Sequence, residues 1–377
     1  MKNKTKVFLL HNIIAPYRLP VFEELNKKLD LTVYFCHRKS KDRLWDTSLK
    51  GYRFKYYILP HIKLGPFISN YNLFFKLLPS HYDVYIVCEN AYETLFSVLI
   101  VLIIAKVFRK PLIIWSEHII TEFSKKESES SLLKKIGNKV LKFYRKFLYK
   151  NTDAFIAYSR KAKEFLLKNR VLERKIFTGR QTMPHEQVIK VNISKSDTEY
   201  KNKQIILTVS YLKKMKGIEY LIQAFNELKL ELENAILIII GVGEEEKRLK
   251  SLAQDNKDIY FIGYKNGIEK SKWYAIADLF VLPTLHDAWG LVVNEAMYFG
   301  LPIITTTAAG CSEIIKDNGF IIPPGDKVKL KEAVKKILTN QELKKKMGQR
   351  SKEYSRIYTI EGATSPFINA INFVLSV

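Results

Sequence analysis

Short runs of consecutive apolar residues recur along the chain, separated by longer stretches in which apolar residues fall three and four apart. In the first half the runs are KVFLLH (6–11), LTVYFCH (31–37), YDVYIV (82–87), PLIIW (111–115) and AFIAYS (154–159). In the second they are IILTVS (205–210), AILIIIGVG (235–243), IYFIG (259–263), LFVLP (279–283) and PIITTT (302–307). Unbroken apolar strands alternating with amphipathic helices, the first of which begins near Leu19, predict parallel sheets covered on both faces. The 377 residues are too many for one ordinary core and suit two domains of about 180 each. The expected division is 1–190, then 191–355, with the polar run VNISKSDTEYKNKQ (191–204) as linker and a C-terminal helix in 356–377 that returns to the first domain. The longest apolar run, LFSVLIVLIIA (95–105), is closed by Lys106, Arg109 and Lys110 and is too short to span a bilayer, which takes about 20 residues. It is expected as a buried helix between YDVYIV and PLIIWSE.

The densest chemistry lies in HDAWGLVVNEAMYFGLP (286–302). Asp287 follows the strand-like LFVL, a Trp-Gly turn comes next, and Glu295 stands eight positions after Asp287 on a helical stretch. A helix entered through glycine offers unpaired N–H groups and the positive end of its dipole, where a diphosphate sits well. A carboxylate one or two turns further in can accept the two hydroxyl hydrogens of a ribose. The alternative is that Asp287 caps the helix and Glu295 is a solvated surface charge.

The order and spacing of IILTVSYLKKMKGIEYLIQAF (205–225), ILIIIGVGEEEKRLKSLA (236–253), IYFIG through CSEII (259–315) and GFIIPPGDKVKLKEAV (319–334) resemble the family 4 glycosyltransferases. The resemblance implies the GT-B fold, two Rossmann-like doubly wound domains facing a central cleft, and a retaining transfer from a nucleotide-diphosphate sugar. It implies that Asp287 binds donor-sugar hydroxyls, that Glu295 binds the ribose and that the amides at Gly290 and Leu291 hold the diphosphate. Tyr211, Gly243, Gly263 and Tyr264 complete the donor contacts, the base being read by backbone atoms near Gly263 and Tyr264. The family's acidic pair is usually Glu-x7-Glu, and Asp287 is the shorter variant. Its basic pair is commonly Arg then Lys five residues later. Here those positions are Tyr211 and Lys216, so diphosphate neutralisation falls to Lys216, with Lys213 or Lys214 as helpers. Lys216, Asp287 and His118 are the expected catalytic groups. His118 follows PLIIWSE, at a position where the family carries a histidine near the sugar, although a lone histidine at a strand end also fits a structural role. Glu89, Asn90 and Glu117 on the same strand ends are expected to touch the acceptor.

Charge adds a second clue. The net +24 is divided as +20 in residues 1–190 and +4 in 191–377. Within the first part, SLLKKIGNKVLKFYRKFLYK (131–150) has no acid. Ile136, Val140, Tyr144, Phe147 and Leu148 recur at helical spacing, with Lys134, Lys135, Lys139, Lys142, Arg145 and Lys146 around them. Such a helix suits an anionic membrane surface, and Lys135, Lys139, Lys142, Arg145 and Lys146 are its expected contacts. The other reading is a stripe packed on the sheet beneath solvated lysines. No nucleic-acid module accompanies the charge, so nucleic acid is not expected as a partner.

Several classes are disfavoured. No glycine-rich fingerprint follows the first strand, no phosphate loop and no Asp-x-Asp occur, and Cys36, Cys88 and Cys311 lie far apart without ligand spacing. No metal or cofactor is expected beyond the nucleotide sugar as substrate. The N-terminal apolar stretch is only strand length, which does not read as a signal peptide. The sequence therefore leads to a cytoplasmic protein, peripheral on the cytosolic face, that passes a sugar to a lipid-linked or membrane-borne glycan in polysaccharide or glycolipid synthesis. A sugar-nucleotide epimerase or hydrolase of the same fold, or a degenerate membrane-bound scaffold, are the alternatives.

Overall fold

The structure is a computed structural model and describes residues 4–39, 43–78, 81–90, 92–179, 181–182, 191–254 and 256–376. The chain folds as two units. The first comprises 1–120, 126–181 and 360–377, and the second 121–125 and 182–359.

In chain order the first unit carries β1 (Lys6–His11), α1 (Leu19–Lys28), β2 (Asp30–Phe35), β3 (Lys55–Ile58), β4 (Ile62–Leu64), β5 (Phe67–Ser69), α2 (Leu73–Lys76), β6 (Val84–Glu89), α3 (Leu95–Val107) and β7 (Leu112–Ser116). There follow α4 (Glu122–Glu129), which straddles the two units, then α5 (Leu132–Lys150), β8 (Ala154–Ala157), α6 (Arg160–Lys168) and β9 (Ile176–Thr178). Seven strands pair in the order β3-β2-β1-β6-β7-β8-β9, all parallel, while β4 and β5 form a separate hairpin. The central strands are buried along almost their whole length, as their unbroken apolar runs require. Ser131 and Ser159 cap α5 and α6 by accepting the N–H of Lys134 and Ala162.

The second unit carries β10 (Gln204–Val209), α7 (Ile218–Lys229), β11 (Ala235–Ile240), α8 (Glu246–Leu252), β12 (Ile259–Gly263), α9 (Gly267–Ile276), β13 (Leu279–Leu282), α10 (Leu291–Tyr298), β14 (Ile303–Thr306), β15 (Gly319–Ile322), α11 (Lys327–Leu338) and α12 (Gln341–Ser355). Its parallel sheet runs β12-β11-β10-β13-β14-β15. Ile218, Leu221, Ile222, Phe225 and Leu228 form the buried stripe of α7 and join Leu237, Ile239, Val281 and Ile304 in one core. The last helix, α13 (Ile360–Leu375), packs on α1, β8 and β9 of the first unit, with Phe367 set edge-on to Trp115 at 4.9 Å between centroids.

Residues 191–204 are not the free linker that their polarity suggests. Lys195 pairs with Asp278, whose Oδ2 also accepts the N–H of Ile205, and Lys344 bonds Oδ1 at 2.8 Å. A short polar stretch is thereby tied to the start of β10. Residues 95–105 form the expected helix, α3, but it is buried on one side only. Val98, Val101, Leu102 and Ala105 face the core while Phe96, Ile103 and Val107 are exposed. The apolar run hides a helical face that its composition does not reveal.

Candidate donor and acceptor sites

Both sheets reverse their strand order once, at β1/β6 and at β10/β13. At such a point the connections leaving two neighbouring strands run to opposite faces, opening a crevice at the strands' C-terminal ends where ligands bind in open α/β sheets. In the second unit the two loops at the reversal supply Lys216 and Asp287. Lys216 ends the turn after β10, at Gly217, whose φ of 64° is left-handed and where a Cβ would stand 2.3 Å from the Pro283 carbonyl oxygen. Only glycine lets the two loops come this close. Lys216 Nζ meets Asp287 Oδ2 at 2.5 Å across the reversal, with both side chains largely buried.

The loop from β13 to α10 is tightly fixed. Asp287 Oδ1 accepts the N–H of Trp289, and the Asp287 carbonyl accepts that of Gly310 at 2.9 Å. The Trp289 ring is buried and its Nε1 donates to Asn294 Oδ1 at 2.8 Å. Gly310 lies so close to Ala288 that a Cβ would fall 2.0 Å from its carbonyl oxygen. Asp287 does not cap the helix. The cap is Gly290, with φ 96° and no side chain, so the cap residue bonds none of the first amides, those of Leu291 and Val292, that open α10. This helix starts four residues before Glu295, placing that carboxylate in its second turn.

Glu295 is 4% exposed, which removes the reading of a solvated surface charge. Lys270 on α9 bonds its Oε1 at 2.7 Å. Its Oε2 is buried and accepts no well-aligned hydrogen bond among the described residues, although the buried Tyr274 hydroxyl lies against the carboxylate. A buried unsatisfied carboxylate oxygen is costly and marks a place where a ligand donor fits. Tyr264 lies close by, its hydroxyl pKa pushed up by burial and then by the Tyr211 phenol, while Lys270 pulls it down. Gly263 has a left-handed φ of 76° and open space where a Cβ would stand. Gly243 is pressed against the loop after β10, its missing Cβ 2.2 Å from the Leu212 carbonyl oxygen. Tyr211, Lys216, Gly243, Gly263, Tyr264, Asp287, Gly290, Leu291 and Glu295 thus all belong to the loops and helix start at the C-terminal edge of one sheet. Lys270 was not foreseen, and nothing in GIEKSKWYAI distinguishes it from its neighbours.

In the first unit, Asn12 Nδ2 donates to Glu93 Oε2 at 2.8 Å across the β1/β6 reversal, and His37 Nε2 lies 3.7 Å from Glu93 Oε1. Asn90 Nδ2 reaches Glu93 Oε2 at 3.4 Å. Asn12, His37 and Glu93 escaped the sequence reading, although each stands just beyond a strand end. Glu117 approaches Arg18, a buried guanidinium lying over the rings of Trp115 and Tyr158.

Glu89, expected from its strand end to touch the acceptor, is instead closed off inside the unit. It is 1% exposed, with Arg145 Nε at 2.8 Å from Oε1 and the Tyr149 hydroxyl donating to Oε2 at 2.6 Å. Burial opposes its ionisation, but His118, Arg145 and Tyr149 outweigh that and lower its pKa to about 2. Arg145 also reaches His118 Nε2 at 3.0 Å. The same nitrogen lies 3.4 Å from Glu89 Oε1, so His118, Arg145 and Glu89 form one cluster. Arg145 is consequently no membrane contact: its charge is spent inside the unit, on Glu89 and His118. Lys135, Lys139, Lys142 and Lys146 on the same helix are exposed. Tyr144 and Leu148 also turn inward, and the outer stripe is Ile136, Val140, Phe143 and Phe147.

Residues 190–354 match the family described as Glycosyl transferases group 1. The uncharacterized glycosyltransferase MJ1069 of Methanocaldococcus jannaschii is 30% identical over 324 residues, covering 81% of this chain and 80% of the relative. The lipopolysaccharide glucosyltransferase WaaG of Escherichia coli K12 is 27% identical over 146 residues, 37% of this chain and 38% of its own. Among solved structures, Anabaena HepE in complex with UDP matches with a TM-score of 0.77 at 15% identity, over 98% of this chain and 100% of that one. At that identity the likeness concerns the fold, which is GT-B.

The Glu89 network generates a stability prediction. Its folded pKa lies below the ordinary 4.5, so its contribution is present above that pH and is lost as pH falls through about 2. Arg145→Met leaves a buried carboxylate short of its cation and is expected to cost about 3 to 5 kcal/mol at neutral pH, a penalty that shrinks once acid protonates Glu89. Urea unfolding across this range checks it. A variant as stable as the parent at pH 7 would show that the network holds nothing together.

Proposed function

The chain belongs to the group 1 glycosyltransferases, and from that premise we propose that it moves a sugar, with retention, from a nucleotide-diphosphate donor to a lipid-linked or membrane-borne glycan. The observation that carries the donor half is the Lys216–Asp287 pair at the strand reversal, flanked by the uncapped start of α10 and the unsatisfied oxygen of Glu295. Glu295 takes the ribose hydroxyls. The amides at Gly290 and Leu291 take the diphosphate, and Lys216 exchanges its carboxylate partner for the departing phosphate as charge gathers there. Asp287, released from Lys216, orients the sugar hydroxyls. The acceptor hydroxyl attacks on the face from which the nucleoside diphosphate leaves, through an oxocarbenium-like state, so the protein contributes mainly positioning and electrostatics. On the first unit, His118 is the group assigned to the sugar, and Asn90 with its neighbours Asn12 and Glu93 is assigned to the acceptor. HepE is seen with UDP, which supports a nucleoside diphosphate as the leaving group here.

The acceptor half rests on charge and on α5. Its outer stripe of Ile136, Val140, Phe143 and Phe147 is exposed, with Lys135, Lys139, Lys142 and Lys146 beside it. A helix with apolar residues open to solvent and an acid-free cationic flank lies in the interface of an anionic bilayer, each lysine contributing about 1 kcal/mol. No helix among the described residues is long and apolar enough to cross a membrane, so the proposed association is peripheral. WaaG is named for lipopolysaccharide, and a comparable membrane-borne glycan suits this chain.

Glu295→Gln is expected to weaken nucleotide binding, and Lys216→Ala to slow transfer with less effect on binding, because phosphate charge grows in the transition state. Losing one such contact costs about 2 to 4 kcal/mol, or roughly thirty-fold to a thousand-fold. Calorimetry and single-turnover rates separate the two, and full activity in either variant removes the assignment. Transfer is also expected to continue at nearly the untreated rate after chelation, with Lys216 and the α10 amides on the diphosphate. Loss of activity that magnesium or manganese restores would contradict this. Finally, charge reversal at Lys135, Lys139 and Lys142 should lower sedimentation with anionic vesicles while nucleotide affinity stays at the parent value. Equal binding by the triple variant and the parent would remove α5 from the membrane.

A further inference from the structure

The exposed apolar side chains of the first unit are not confined to α5. From Thr47 to Tyr82 the chain has no acid and five lysines or arginines. Within that stretch the β4–β5 hairpin leaves Ile62 and Leu64 exposed, the latter at 65%, and α2 exposes Phe74 and Phe75, the latter at 74%. These are built positions. Asn70 is wholly buried, and it donates to the carbonyls of Cys36 and Pro60 and accepts from Ser97 on α3, which ties the end of the hairpin to the sheet and to α3. Phe67 on β5 packs on Phe96 of α3 at 5.9 Å between centroids, and Lys76 on α2 lies over the Tyr57 ring. The apolar surface continues along α3 through Phe96, Ile103 and Val107. It ends at a cavity of about 630 Å³ lined by Lys106, Arg109, Lys110, Arg174 and Lys175, with Asp153 the lone acid.

The partner follows from placement and charge. The crossovers β6-α3-β7 and β7-α5-β8 advance in the same direction across a parallel sheet, so right-handed connections put α3 and α5 on the same face. Two exposed apolar stripes on one face, each bordered by cations, match a broad surface that is apolar inside and anionic at its boundary. Exposed patches of this kind mark an interaction site.

We propose that the hairpin, α2 and the outer face of α3 form a second bilayer-contacting surface, which enters the acyl boundary while α5 and the basic cavity lie among anionic headgroups. This rests on the membrane reading above and extends it: the attachment has an apolar component that salt does not screen. Charge steers the unit to the surface, and the Leu64 and Phe75 side chains hold it there.

The test is sedimentation with vesicles of phosphatidylethanolamine and phosphatidylglycerol at about 0.1 M and about 1 M salt, where the screening length falls from about 10 Å to about 3 Å. The parent is expected to keep a bound fraction at high salt. Leu64→Ser with Phe75→Ser should lower that fraction by about tenfold or more, and both sites are exposed enough for the variant to fold. The triple lysine reversal on α5 should retain the high-salt fraction and lose the low-salt gain. Phe75→Trp, which keeps an aromatic ring, should show emission quenched by brominated acyl chains. A parent that leaves the vesicles completely at high salt, or a serine variant that matches the parent there, overturns the second surface and leaves the α5 reading standing. Failure of the parent to bind at either salt removes both. Conversion of a parent dimer to monomer by the serine pair, with vesicle binding intact, would assign the face to a second copy and overturn the proposal.

Discussion

The candidate donor site depends on one topological constraint, the reversal of strand order between β10 and β13. Parallel strands deliver their following loops to the same edge of the sheet, and only where the order reverses do two such loops part enough to admit a ligand. Lys216 and Asp287 face each other across that gap at 2.5 Å because Gly217 and Gly310 allow backbone approaches that any Cβ would block. The α10 amides follow from the same geometry, since the chain leaving β13 must turn through Gly290 to start its helix. Glu295 is then placed by helical periodicity alone, in the second turn and buried.

In the first unit the same topology produces the Asn12–Glu93 contact, but the more consequential element is α5. One face of this helix is open to solvent with lysines and aromatic residues, and the other carries Arg145 and Tyr149 into the sheet to hold Glu89 and, through it, His118. The exposed cationic stripe and the environment of His118 therefore share a helix. Its mixed composition reflects two environments, a carboxylate buried below and solvent above.

The strands and most helices were legible because strands buried on both faces leave unbroken apolar runs and the covering helices leave period-3.6 stripes. The residues of the candidate donor site were legible in the second half of the chain as well, since the HDAWG turn, the lysine after β10 and the acid eight residues on are local features. What stayed hidden depends on which way a helix faces. Arg145 reads as one cation among many on a basic helix, and only the packed structure turns it toward Glu89. The outer stripe of α5 was read as Tyr144 and Leu148 where Phe143 belongs, an error of a fraction of a turn that the sequence cannot resolve when apolar residues lie all round. Lys270 and Glu93 are long-range partners, fixed by tertiary contacts with no local signal. The continuation of 191–204 into the second unit turns on Lys195 finding Asp278 far along the chain.

The central claim is that the β10/β13 crevice holds a nucleoside diphosphate, with its ribose on Glu295 and its phosphates on Lys216 and the start of α10. Titration calorimetry with a nucleoside diphosphate, its 2′,3′-dideoxy analogue and the bare nucleoside tests this most directly. The account predicts that the complete ligand binds, that removing the ribose hydroxyls weakens binding because a buried Glu295 oxygen is left unsatisfied, and that removing the phosphates weakens it further. Equal affinity for all three, or for the diphosphate and its dideoxy analogue, would contradict it.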